Sequence, residues 1–230
     1  MRWLHQHRYL VLVFGLGGTY IAQSADQGLT GGWIASDAIL ALIMLAVLFV
    51  VFERRLNRVI ALCLAVAGIT TRLAFRILTA EELQLPLTVV HYVLLVLFLG
   101  YAVAVILGHI FTKSTVSTDD ILGAVSGYLI AGAAWSSLYA LTDALAPGSF
   151  TIASTLNAHL SSWHGRTALF NYFSIVTLTT MGYGDVTPSR APATSFAMLE
   201  AVFGQFYIAV VVAQLVSARM TAGISPESGD

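Results

Sequence analysis

Long apolar stretches constrain this chain more than any other feature of its sequence. A helix needs about 20 mainly apolar residues to cross the roughly 30 Å of hydrocarbon in a bilayer. The 230 residues are 57% hydrophobic and only 10% charged, with a mean hydropathy of +0.81. We therefore predict an all-α integral membrane protein with six transmembrane helices. The candidate spans are residues 9–23, 36–52, 58–78, 86–111, 121–143 and 193–218.

A seventh apolar stretch, residues 168–180, is too short to span and runs into a glycine-rich turn. Irregular backbone at membrane depth is tolerated only where it is buried in protein or lines a water-filled cavity. The stretch therefore predicts a re-entrant helix and loop between the fifth and sixth spans.

Basic residues predict the orientation, because cytoplasmic loops retain Lys and Arg. The opposite loops hold only Arg166 and Arg190 and carry the acidic pair Glu81 and Glu82. Both termini are expected in the cytoplasm, with the chain in a plasma or inner membrane. The residues expected at the cytoplasmic side are Arg2, Arg8, Arg54, Arg55, Arg58, Lys113 and Arg219.

The first span has an alternative interpretation as a secretory signal peptide, since a basic start precedes a short apolar run and Ala22-Gln23-Ser24-Ala25. Its removal would leave five spans without reversing the later ones. We favour a retained helix.

Residues 177–185 read Thr-Leu-Thr-Thr-Met-Gly-Tyr-Gly-Asp, between the re-entrant helix and a full span. This segment resembles the selectivity filter of the potassium channel pore-domain family, although Met181 stands where Val or Ile is more common. A K⁺ ion that leaves water needs oxygen ligands in place of its hydration shell, and rings of backbone carbonyls can supply them. Glycine accepts the alternating backbone that aims successive carbonyls at one axis.

The resemblance implies a filter of Thr180, Met181, Gly182, Tyr183 and Gly184. The first four of these residues would bind K⁺ through their carbonyls, and the Thr180 hydroxyl would close the innermost site. One chain supplies one strand of oxygens, and a ring needs about four. A homotetramer is therefore expected, with K⁺ as the transported ion and no cofactor.

Three residues are expected to support the filter: Thr179, Asp185 and Tyr172. The family often places two tryptophans on the pore helix, where this chain has Tyr172 and Phe173. Tyr172 could still offer its hydroxyl to Asp185.

The sixth span contains the candidate gate. By the same resemblance Gly204 stands near a hinge glycine, although a small residue that admits a neighbouring helix is the alternative. The resemblance also implies that Gln205, Ile208, Val212 and Val216 line the pore. Val212 and Val216 could form an apolar constriction that gates by dewetting. Glu200, in the same span, is expected to face protein or water, but the sequence names no partner.

The first four spans lack the sequence pattern of a strong voltage sensor. The fourth span has no Arg or Lys, only His91 and His109. Steep voltage gating is therefore disfavoured. Arg72 and Arg76 lie one turn apart on the third span and either carry a weak charge movement or, as we favour, reach outer headgroups or an acid.

We divide the chain into a four-helix N-terminal domain (residues 1–112), a pore domain (113–219) and a disordered cytoplasmic tail (220–230). A formal net charge of −1 excludes a basic nucleic-acid surface. No catalytic constellation accompanies the spans, so an enzyme is not expected. The alternatives are a less selective cation channel and a secondary transporter, which would show an inverted repeat.

Overall fold

The computed structural model describes residues 8–25, 44–48, 51–52, 55–78, 80–112, 117–156 and 163–223. Residues 44–48 are helical. The remaining elements are six helices and two short strands: α1 (Arg8–Ala25), α2 (Arg55–Ile77), α3 (Glu81–Thr112), α4 (Thr118–Leu145), β1 (Phe150–Ile152), α5 (Trp163–Leu178), β2 (Val186–Pro188) and α6 (Ala191–Gly223).

Four of the described helices are long and apolar enough to cross a membrane, and they lie within α2, α3, α4 and α6. They correspond to the third, fourth, fifth and sixth predicted spans, so the chain is an integral membrane protein. The first predicted span is helical as α1, which does not reach that threshold of length and composition. Most of the second predicted span lies outside the described residues. The count of six spans stays a prediction.

Several helices extend beyond the ranges predicted from the sequence, among them α3 and α6. α3 begins at Glu81, five residues before Pro86, and the two acidic residues of its first turn complement the positive end of the helix dipole. α6 continues to Gly223, beyond the expected end of the pore domain at Arg219. The rest of the expected tail, residues 224–230, lies outside the described part of the chain.

The start of α4 is fixed by a capping box. The backbone N–H of Ser117 donates to Asp120 Oδ2 at 2.8 Å, and the Asp120 N–H donates to Ser117 Oγ at 3.3 Å. Each side chain satisfies a backbone donor that the first turn leaves unpaired.

Small residues on α4 let tyrosines of other helices approach its backbone. A Cβ at Gly127 would lie 2.5 Å from the Tyr207 hydroxyl, and one at Gly123 would lie 3.4 Å from the Tyr9 ring. The Tyr20 hydroxyl donates to the Leu129 carbonyl at 3.1 Å. α1, which the sequence assigned to the N-terminal domain, therefore packs directly on the first helix of the predicted pore domain.

The strands were not expected from the sequence. β1 pairs with β2 in antiparallel register, with Thr151 opposite Thr187. The Ala153 N–H extends this pairing by donating to the Asp185 carbonyl at 2.8 Å. The pair therefore ties the polar connection after α4 to the chain immediately after the glycine-rich loop.

Candidate functional site

The loop between α5 and β2 has an alternating backbone. Thr180, Gly182 and Gly184 have φ values of +59°, +58° and +80°, whereas Met181 and Tyr183 between them do not have positive φ. Glycine adopts such values without a steric penalty, but Thr180 pays one because it carries a Cβ. The alternation is the backbone pattern that the sequence predicted for residues 180–184.

The amide groups at the start of this loop are bonded back to α5. The Met181 and Gly182 N–H groups both donate to the Val176 carbonyl, at 2.9 and 3.4 Å, and the Thr180 N–H donates to the Thr177 carbonyl at 2.9 Å. The Thr179 hydroxyl donates to the Ile175 carbonyl at 2.6 Å. The last turn of α5 therefore holds the loop by accepting hydrogen bonds from the N–H groups of the loop.

The carbonyl oxygens of residues 180–184 accept no hydrogen bond from any described residue. Residues 180–184 are exposed in the single chain, so these oxygens are open to a partner from outside it. A desolvated cation is such a partner, because carbonyl oxygens can replace its hydration shell.

Behind the loop, the Tyr172 hydroxyl donates to Asp185 Oδ2 at 2.5 Å. The second carboxyl oxygen, Oδ1, accepts the Val186 N–H at 3.0 Å. The Tyr172 ring stacks on that of Tyr183, with centroids 6.4 Å apart and planes at 8°. Burial and the Asp185 hydrogen bond raise the pKa of Tyr172 to about 12, so its hydroxyl keeps its proton at neutral pH and donates.

Phe173, the residue after Tyr172 on α5, lies in a different environment. It is buried in an aromatic cluster, 4.9 Å from the Tyr139 ring and 5.6 Å from the Phe150 ring between centroids. Phe150 also packs edge-on against Phe170 at 5.0 Å. The cluster joins α4, α5 and β1, and so fixes the helix that precedes the loop.

Gly204 lies against the end of α5. A Cβ at this position would stand 2.2 Å from the Leu178 carbonyl oxygen, and α6 is helical on both sides of it. Leu178 also accepts the Tyr128 hydroxyl at 2.9 Å. The structure therefore gives Gly204 the close-packing role that the sequence left as an alternative, and the hinge stays a prediction.

The predicted pore-lining residues follow Gly204 along α6. Gln205 Nε2 approaches the Thr180 hydroxyl at 3.4 Å, which joins α6 to the base of the loop. Ile208, Val212 and Val216 are all about half exposed, with relative exposures of 47%, 50% and 53%. Their spacing of four residues places them along one face of the helix.

Glu200 is the residue whose partners the sequence could not name. It is fully buried on α6 and accepts a hydrogen bond from the Tyr139 hydroxyl of α4. Its other carboxyl oxygen contacts the Ser174 hydroxyl of α5. A charged residue type inside an apolar span was the only signal that could have marked this contact.

Of the other singled-out residues, Arg72 is buried on α2, and nothing is described of the Arg76 side chain. His91 is buried on α3, with Nδ1 3.1 Å from the Gly68 carbonyl. His109 Nε2 lies 3.7 Å from Asp120 Oδ1. Two histidines close in sequence to the start of α5 could sense pH or bind a metal, but His159 and the side chain of His164 fall outside the described parts.

The second half of the chain matches a known protein family. Residues 125–220 match a family model described as an ion channel. The match begins within α4, includes α5 and the loop, and ends within α6. It supports channel function. No curated protein and no solved structure matches the chain.

Proposed function

We propose that this chain is one subunit of a tetrameric, potassium-selective channel whose filter is residues 180–184. The observation that carries the proposal is the combination of alternating φ values in the loop with carbonyl oxygens that bond to no described residue. Thr180, Met181, Gly182 and Tyr183 would supply the K⁺ ligands.

The position of α5 supports a cation site. Carbonyl groups of its last turn accept hydrogen bonds from the N–H groups of residues 179–182. The C-terminal end of a helix carries a partial negative charge. That charge favours a cation at the base of the filter. The Thr180 hydroxyl, at the first residue of the proposed filter, lies 3.4 Å from Gln205 Nε2 of α6.

Fourfold assembly is proposed because one column of oxygens cannot surround an ion. The Met181 and Tyr183 side chains are 59% and 65% exposed in the single chain. An apolar cavity of about 640 Å³ lies beside them, lined in part by Leu129 and Ile175. Neighbouring subunits would cover these surfaces, which supports assembly around the loop.

The remaining features of the proposed channel extend the sequence predictions. Val212 and Val216 would form an apolar gate below the filter, and both termini would face the cytoplasm. No Arg or Lys occurs in α3, so we expect weak dependence on voltage.

Reconstitution tests the proposal. The purified chain in liposomes should carry K⁺ flux with reversal potentials that follow the K⁺ gradient and ignore the Na⁺ gradient. Protein-free liposomes are the control, and chemical cross-linking should give species up to a tetramer. Reversal potentials that respond equally to both cations would favour the less selective cation channel. Cross-linked species that stop at the monomer would refute the assembly.

A further inference from the structure

The carboxyl group of Glu200 is enclosed by three helices. The Tyr139 hydroxyl lies on Oε2 and the Ser174 hydroxyl on Oε1. The titratable groups that face it are tyrosines: Tyr128 and Tyr139 from α4, and Tyr20 from α1. Within the described residues no Lys, Arg or His pairs with it. An ionised carboxylate buried without a cation is strongly unfavourable.

The number of hydrogens available to the hydrogen bonds around Glu200 indicates its protonation state, independently of the cost of burying a charge. Ser174 Oγ contacts Glu200 Oε1 and also the Gly132 carbonyl, at 2.7 Å. Together with the Tyr139 contact this makes three oxygen–oxygen contacts. Tyrosine and serine supply one hydrogen each, so an ionised Glu200 leaves one contact without a hydrogen.

A proton on Oε1 of Glu200 completes the set. Glu200 then donates to Ser174, Ser174 donates to the Gly132 carbonyl, and Tyr139 donates to Oε2. Each contact has one hydrogen, and the buried group carries no charge. A buried polar network stabilises a structure when all its members are satisfied in this way.

The network reaches the filter loop through α5. Ser174 stands two residues before Val176, whose carbonyl accepts the Met181 and Gly182 N–H groups. Gly204, one turn beyond Glu200 on α6, lies against the carbonyl of Leu178, the last residue of α5. A carboxyl group that fixes Ser174 thus fixes the part of α5 that holds the loop.

We propose that Glu200 carries its proton in the functional protein and is an uncharged positioning residue, joining α4, α5 and α6 behind the filter. The proposal rests on the proposed function in one respect: the loop it positions is taken to be the filter. Glutamine has the shape and hydrogen-bonding groups of a protonated glutamate, so it should replace Glu200 without loss.

Infrared spectroscopy of the purified protein tests the proton without reference to ion flux. The wild-type protein at neutral pH should show the C=O band of a protonated carboxylic acid, and Glu200→Gln should lose that band. Glu82→Gln, which changes an exposed acid on α3, should retain it. If Glu200→Gln does not fold, Ser174→Ala provides the assignment, because loss of the proton's acceptor should shift the band. A neutral-pH spectrum without such a band would overturn the proposal.

Thermal unfolding and flux test the positioning role. Glu200→Gln should retain the wild-type ratio of K⁺ to Na⁺ flux, and it should gain stability relative to wild type as pH rises. The sign follows because only the wild-type group must hold a proton that the unfolded chain releases. Loss of selectivity in Glu200→Gln, or an unchanged pH dependence, would refute the role. A wild type that shows the protonated band but no K⁺ selectivity would refute the proposed function instead.

Discussion

The loop between α5 and β2, which we propose as the filter, has two sides with opposite bonding. On its rear side, towards α5, the amide groups of residues 180–182 donate to the helix and Tyr172 holds Asp185. On its front side, the carbonyl oxygens of residues 180–184 have no partner among the described residues. The N–H donors therefore hold the loop in place, and the carbonyl acceptors remain available to a ligand. Substitutions on the front side should therefore mainly change selective flux, and substitutions on the rear side should mainly change stability or the support of the loop.

The largest effect is expected on the front side, from Gly182→Ala. Residues other than glycine pay about 1–2 kcal/mol in the left-handed region, and Gly182 has a φ of +58°. The carbonyl alternation should break, so K⁺-selective flux into liposomes should be lost while the protein stays folded by circular dichroism.

Gly100→Ala is the matched control, since a Cβ at this helical position meets no atom within 4 Å. It should keep selective flux. Wild-type selectivity in Gly182→Ala would contradict the assignment of the front side.

Among substitutions on the rear side, Gly204→Ala should lower the stability of the protein most. Its Cβ would stand 2.2 Å from the Leu178 carbonyl oxygen, and relief requires backbone movement. Forcing atoms into a well-packed site costs about 1–3 kcal/mol. The melting temperature should fall below that of Gly100→Ala. If the two variants melt together, α5 and α6 are less tightly packed than described.

Tyr172→Phe removes one hydrogen bond behind the loop and keeps the stacking on Tyr183. A hydrogen bond to a carboxylate contributes about 1.5–3 kcal/mol. We expect faster filter inactivation or a lower K⁺ to Na⁺ permeability ratio in bilayer recordings. Tyr101→Phe is the control, because no described residue bonds to the Tyr101 hydroxyl. Currents identical to wild type would remove Tyr172 from the filter support.

Tyr128→Phe should have the smallest effect. Its hydroxyl bonds the Leu178 carbonyl at 2.9 Å, and a neutral hydrogen bond contributes about 0.5–1.5 kcal/mol. Flux should remain selective while the melting temperature falls slightly. Loss of selectivity here would mean that the rear and front sides are more closely coupled than the hydrogen bonds indicate.

The sequence by itself determined the membrane-spanning character of four described helices, the short helix before the loop and the glycine positions within the loop. These follow from local causes: apolar length sets a span, and a required positive φ selects glycine. The capping of α4 is equally local, since Ser117 and Asp120 lie three residues apart.

Only the tertiary structure decided the partners of Glu200, the reason for glycine at position 204 and the packing of α1 on α4. Each depends on residues distant in the chain, as in the contact of Tyr139 with Glu200. Hydrophobic periodicity identifies the apolar face of a helix but not the helix that packs against it. Several packings bury the same residues equally well. The contacts that select one packing are specific hydrogen bonds and close approaches between helices, and these exist only once the chain is folded.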